Sequence, residues 1–267
     1  MKAEKSDLKA LRELWEYCFY EDSKEFLDFY FGALDTDCVR VIKDGGKIVS
    51  CLHLQDIEIC QGGKKYKAAY IGGVATSPSY RNRGYYKRLM TETLEELTQS
   101  GYDAAVLIPF SYDFYRKDGF EVSSYYIEVS GKSQDIGKSK VVTENKYDAY
   151  WNRTAKELED IKKALAPEGV KFFEGDGFHI FYYFKDGDII IPELAADTGA
   201  GYENGISFIA SQEAYGFKLR TDLARAARFS EKCFDIKLCP HTMMKILNPD
   251  FVLSGVYNNN FNFLGYV

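Results

Sequence analysis

In the stretch VATSPSYRNRGYYKRLM, Val74 to Met90, an apolar run stops at a Ser-Pro turn, Arg81 and Arg83 bracket Asn82, and Gly84 precedes a helical pattern. Residue types in that order bind anions. The first amides of a helix have no internal acceptors, and the helix dipole adds partial positive charge at the same place. Gly84 lets the backbone approach a ligand without a Cβ, while Arg81 and Arg83 supply charge that a purely structural turn does not require. Pyrophosphate is the natural guest of such a loop. There is no Gly-Lys-Ser/Thr, so this is not a P-loop, and no three-glycine fingerprint follows the first strand, so it is not a dinucleotide fold. Lys87 and Arg88 read equally well as the solvated face of the helix.

The elements around this loop set its position. SDLKALRELWEYCF opens on a Ser-Asp cap and repeats Leu8, Leu11, Trp15, Cys18 and Phe19 at helical spacing, and SKEFLDFYFGAL is a second helix capped by Ser23. The period then changes to alternation in CVRVIKD and KIVSCLHLQDIEIC, joined at Asp44-Gly45-Gly46, and Gln61-Gly62-Gly63 turns the chain into KYKAAYIGGVAT. After the anion loop comes a helix from Tyr85 to Ser100, a buried strand DAAVLIP, a short helix SYDFYRKD, and GFEVSSYYIEV as a closing strand. This order predicts an α/β fold: a mixed sheet with helices on both faces, in which the strand–helix–strand crossover puts two parallel strand ends beside the start of the helix.

GKSQDIGKSKVVTENK has the composition of a linker. Beyond it WNRTAKELEDIKKAL reads as a helix and VKFFEGDGFHIFYYFKDGDIIIPEL as a strand pair turning at Lys185-Asp186-Gly187-Asp188, an echo of the Asp44-Gly45-Gly46 hairpin. The expected division is residues 1–130 and 131–267, the second unit a diverged copy of the first that ends in an irregular tail, YNNNFNFLGYV. A length of 267 residues with 46% hydrophobic content accommodates two such units, and a formal net charge of -6 argues against broad nucleic-acid binding. The first residues lack the apolar core of a signal peptide, and no run reaches the length of a membrane span, so the chain reads as cytoplasmic with no membrane partner. Six cysteines show neither zinc spacing nor the density of a disulfide scaffold; Cys233, Cys239 and His241 have no fourth partner in reach, and no metal is expected.

Taken together, GGVATSPSYRNRGYYKRLM, AVLIP and FYRKDGFEV resemble the acetyl-CoA-binding core of the GNAT superfamily of N-acetyltransferases. Its Arg/Gln-x-x-Gly-x-Gly/Ala motif is matched by Arg81 and Gly84, with Tyr86 departing at the last small position; a side chain of that size has to point away from the cofactor. LRELWEYCF, YIGGVAT and the two-block layout resemble more narrowly the enhanced intracellular survival (Eis) type, in which two GNAT-like domains precede a sterol-carrier-like domain. That third domain is expected to be absent or cut off after Asn248.

The resemblance implies acetyl-CoA as cosubstrate, held by Val74, Ala75, Thr76, Arg81, Asn82, Arg83, Gly84, Tyr85 and Tyr86. The strand ending in Val74 and the strand Val106 to Ile108 separate at their ends in this family, and the pantetheine arm lies between them as an added strand. A strand amide polarises the thioester, a primary amine attacks directly, and Tyr115 is the implied general acid for the leaving thiolate. His53, Asp56, Glu58, Asp22 and Glu25 are placed to take the amine proton without any one standing out, and His179 reads as a core histidine. The acceptor is a small-molecule or peptide amine; whether identical chains assemble is open. Two alternatives stand beside this one: a tandem-GNAT aminoacyl transferase, and a non-catalytic module that binds acyl-CoA as a regulatory ligand.

Overall fold

A computed structural model describes residues 1–138, 149–151, 154–196, 198–229 and 233–253. Two helices, α1 (Leu8–Cys18) and α2 (Lys24–Ala33), lead into the antiparallel strands β1 (Val39–Asp44), β2 (Lys47–Gln61) and β3 (Lys64–Thr76). Then come α3 (Tyr85–Gln99), β4 (Ala104–Leu107), the short α4 (Tyr112–Arg116) and β5 (Glu121–Val122). The remainder supplies β6 (Tyr125–Lys132), β7 (Ala149–Trp151), α5 (Ala155–Leu165), β8 (Lys171–Gly175), β9 (Phe178–Lys185), β10 (Asp188–Ala196), α6 (Gly199–Ala210), β11 (Gly216–Thr221), α7 (Leu223–Ala226), β12 (Asp235–Pro240) and β13 (Met243–Ile246).

Alternation along the strands builds the first core on two faces. Leu52, Ile71 and Leu107 meet Leu89, Met90 and Leu94 of α3 on one side, while Val41, Cys51 and Ala75 meet Leu11, Trp15, Phe26 and Phe31 of α1 and α2 on the other. Full burial of such side chains stabilises by about 2 kcal/mol each, which is what fixes both helix layers to the sheet. The fold is therefore the mixed α/β arrangement expected, with β3 and β4 as its parallel pair.

Two strand readings are corrected. GFEVSSYYIEV is not one closing strand: β5 belongs to a seven-stranded sheet in the order β1-β2-β3-β4-β13-β5, with β7 also paired to β2, while β6 belongs to a six-stranded sheet in the order β12-β6-β11-β10-β9-β8. The break falls at Ser123 and Ser124, whose hydroxyls both bond the buried Thr242 Oγ1, at 2.9 and 2.6 Å. There the chain leaves the first sheet, and Thr242 marks its return, so β13 enters between β4 and β5. The apolar alternation simply continues across the serines, which is why it conceals the crossing. VKFFEGDGFHIFYYFKDGDIIIPEL likewise forms three strands, because Asp176 and Gly177, the latter at φ 74°, make a second turn. Of the expected linker, residues 139–146 lie outside the described part, as does the whole of the tail, residues 257–267.

The second sheet repeats the plan of the first. β10 and β11 are its parallel pair, with α6 between them in sequence, so the chain holds two tandem GNAT-like units. Their helix starts differ. The first turn of α6 is capped by Thr198, whose hydroxyl accepts from the Gly201 amide at 3.0 Å, and the Gly177 turn packs against Gly201 so closely that a Cβ there would lie 2.0 Å from the Gly177 oxygen.

Candidate active site

Pairing between β3 and β4 ends at Tyr70 and Val106. Beyond that point β3 carries one extra residue relative to β2: Cys51 faces Ala75 but His53 faces Gly72, and Gly73, at φ 54°, makes the bulge. A bulge bends its strand and leaves backbone groups outside the ladder. The result is a cleft of about 710 Å³, and its lining includes Val74, Ala75 and Thr76 on one side and Phe110 and Phe114 on the other.

The cleft runs into the start of α3. Gly84 is the residue before the helix, in the left-handed conformation at φ 82°, and no side chain caps the turn. Asn82 is also left-handed, at φ 60°. A Cβ at Gly84 would meet nothing within 4 Å, so this glycine is required by its backbone angle and by what approaches it, not by packing within the chain. Arg81, Asn82, Gly84, Tyr85 and Tyr86 all line this end. The Arg81 Nε donates to the Thr76 carbonyl at 3.1 Å, tying the guanidinium to the end of β3.

Of the residues expected to hold the cofactor, Arg83 is the one off the cleft wall; its guanidinium lies over the Tyr80 ring, 5.3 Å from the centroid. Tyr86 does not point away from the cleft as expected. It lines it, packed on Phe114, with its hydroxyl donating to Asp118 Oδ2 at 2.6 Å. Tyr115 is 3% exposed and stands behind the wall, edge-on to Phe110, Phe114, Tyr86 and Phe120. Burial, then the Asp118 carboxylate, raises its hydroxyl above the ordinary tyrosine value, so it is protonated at neutral pH.

The candidate proton acceptors separate clearly. His53 is buried with its Nδ1 at 2.6 Å from the Tyr30 hydroxyl, and burial lowers its pKa to about 3. Asp56 accepts from the Tyr102 hydroxyl, and Glu58 pairs with Lys65 at 2.9 Å. Asp22 accepts from the Trp15 indole N–H at 2.7 Å; burial raises its pKa, opposed by that Trp15 bond and aided by the nearby Glu168 and Glu21. Trp15 in turn covers the bulge: a Cβ on Gly73 would fall 2.4 Å from its ring. His179, read as a core histidine, bonds the buried Glu193 at 3.0 Å. Sequence reasoning missed Cys18, Phe19, Tyr80, Phe110 and Phe114 in the cleft wall, because their approach depends on tertiary packing; the exposure of Phe110, 76%, appears only in the fold.

Residues 1–123 match a family model described as an acetyltransferase (GNAT) domain. Residues 1–123 are similar, along that whole stretch, to a GNAT acetyltransferase domain. Acyl transfer is thereby its general chemistry, and the domain contains both the bulged strand and the open helix start. Among solved structures, a conserved Enterococcus faecalis V583 protein described as a probable N-acyltransferase superposes with a TM-score of 0.78 at 21% identity, covering 92% of this chain and 71% of that one. A GCN5-related N-acetyltransferase from Kribbella flavida gives 0.73 at 17% identity, covering 93% and 71%. Eis1 from Mycobacterium abscessus gives 0.72 at 11% identity, covering 92% and 72%. These likenesses show that the GNAT arrangement extends through both units. No curated protein matches the sequence.

Proposed function

We propose that this GNAT domain takes the acetyl group of acetyl-CoA and passes it to a primary amine by direct attack. The observation that carries the reading is the continuity of the cleft, from the parting of β3 and β4 to the uncapped first turn of α3. An extended arm in that gap would add to the sheet through the backbone of Val74 to Thr76, and a pyrophosphate would meet the Arg81 to Tyr86 loop. Acetyl-CoA supplies the acyl group as an activated thioester. The chain supplies a bulged strand whose backbone lies beside the gap to polarise the carbonyl, and a protonated phenol, Tyr115, to neutralise the leaving thiolate. The same desolvation that raises the phenol raises a buried thiolate, which keeps the proton transfer within reach.

Asp22 is the group proposed to take the amine proton, since its raised pKa and its bond to Trp15 hold a carboxylate on the face that covers the bulge. No metal enters this reading. The acceptor is a small molecule or a peptide with a free amine.

The test is thiol release from acetyl-CoA with a panel of primary amines, on the wild type and on Tyr115→Phe and Asp22→Asn. Tyr115→Phe is expected to lower kcat about 100-fold with acetyl-CoA affinity unchanged. Asp22→Asn is expected to lower kcat and remove the acid limb of the rate profile. Thiol release that no amine stimulates would overturn the proposed reaction; unchanged kcat in Tyr115→Phe would remove its role, and an unchanged profile in Asp22→Asn would leave solvent as the acceptor.

A further inference from the structure

Two consecutive residues of the first turn of α3, Tyr86 and Lys87, end on one carboxylate. The Tyr86 hydroxyl bonds Asp118 Oδ2 and the Lys87 ammonium bonds Asp118 Oδ1, each at 2.6 Å. Asp118 is 7% exposed and does not line the cleft; it borders a second groove of about 370 Å³ with Lys87, Thr91, Leu94 and Lys245. Lys245 of β13 donates to the Asp118 carbonyl at 2.6 Å and lies against Gly119. The strand exchanged into the first sheet thus fixes the residue that fixes the helix start.

We infer that Asp118 is a positioning residue for the anion loop, acting through the Tyr86 ring. This rests on the acetyl-CoA reading above. The ring sits in the cleft wall on Phe114, 4.6 Å between centroids, next to helix amides that no side chain caps. Among the described residues its hydroxyl is held by Asp118, which does not line the cleft. A phenol hydroxyl deprived of its acceptor turns to where water or another acceptor is reached, because an unpaired polar group inside the protein is unfavourable. The open direction is the cleft, and a ring there covers the helix start and competes with a phosphate group. Burial and the Asp118 bond also raise the Tyr86 pKa, so the hydroxyl remains a donor to the carboxylate.

Charge has to be separated from tethering, since losing the carboxylate also frees Lys87, which favours an anion. Asp118→Asn and Asp118→Leu are both neutral and both free Lys87, but only the asparagine keeps an oxygen for Tyr86. Calorimetric Kd values for acetyl-CoA are therefore expected to be about tenfold weaker in Asp118→Leu than in Asp118→Asn. Adding Tyr86→Gly to each is expected to bring the two within about twofold of one another. Asp118→Ala replaces the leucine variant if that chain does not fold. Equal affinities for the neutral variants, or a difference that survives Tyr86→Gly, would overturn the proposal. A crystal structure of the untethered variant without ligand supplies the arm that is independent of acetyl-CoA binding. A Tyr86 ring moved over the start of α3 supports the tether even if acetyl-CoA is not the ligand, and an unmoved ring contradicts it.

Discussion

His53 illustrates how burial sets chemistry at the scale of one residue. It stays neutral because α1 and α2 close over it, with Trp15 edge-on at 5.0 Å, and its pKa of about 3 lies far below the ordinary 6.5. A depressed pKa contributes stability that is full above about 6.5 and is lost as the pH falls toward about 3, because the unfolded chain takes up the proton first. Urea unfolding between about pH 7 and about pH 5 is expected to show a slope of up to about 1.4 kcal/mol per pH unit that His53→Gln lacks. Equal slopes would place the acid sensitivity elsewhere. Gly73 and Gly84 form a second contrast, since both are left-handed but only Gly73 is packed against, by Trp15. Gly84→Ala is expected to destabilise by about 1 kcal/mol, the backbone strain alone, and Gly73→Ala by about 2 kcal/mol more. Thermal unfolding that ranks them the other way would contradict the role given to the Trp15 contact.

At the scale of elements, local chemistry was legible where it is self-contained. Gly84 before a helical pattern, the Gly45-Gly46 and Gly62-Gly63 turns, and the shift from helical to alternating spacing near Cys38 place α1 to α3 and β1 to β4 as they are found. The same residues reveal Val74 to Thr76 and Arg81 to Tyr86 as neighbours, and all but Arg83 meet in the cleft. What remained illegible depends on partners distant in sequence. Nothing around Asp118 signals that Tyr86 and Lys87 converge on it, and nothing in Ser123-Ser124 signals a change of sheet until Thr242 is beside them. That crossing carries its own prediction. Thr242→Val leaves the two buried serine hydroxyls without their Thr242 Oγ1 partner and is expected to lower stability by about 1–3 kcal/mol, with Thr242→Ser retaining most of it. Valine and serine variants of equal stability in denaturant unfolding would show that the hydroxyl knot does not hold the exchange.

Across the whole molecule, a tandem layout has been used asymmetrically. Each unit has a parallel strand pair with a helix between, but the start of α6 is capped by Thr198 and packed against the Gly177 turn, whereas the start of α3 is open and adjoins the cleft. The second unit returns β13 to the first sheet, and with it Lys245, which reaches the Asp118 carbonyl behind the anion loop. The architecture therefore predicts one acyl-carrier site per chain, in the first unit. Calorimetric titration of the full chain with acetyl-CoA, alongside Gly84→Glu, tests this most directly. The account predicts saturable binding near one molecule per chain, abolished when a carboxylate and a side chain are placed at the open turn. Absence of binding, or binding that Gly84→Glu leaves intact, would contradict it.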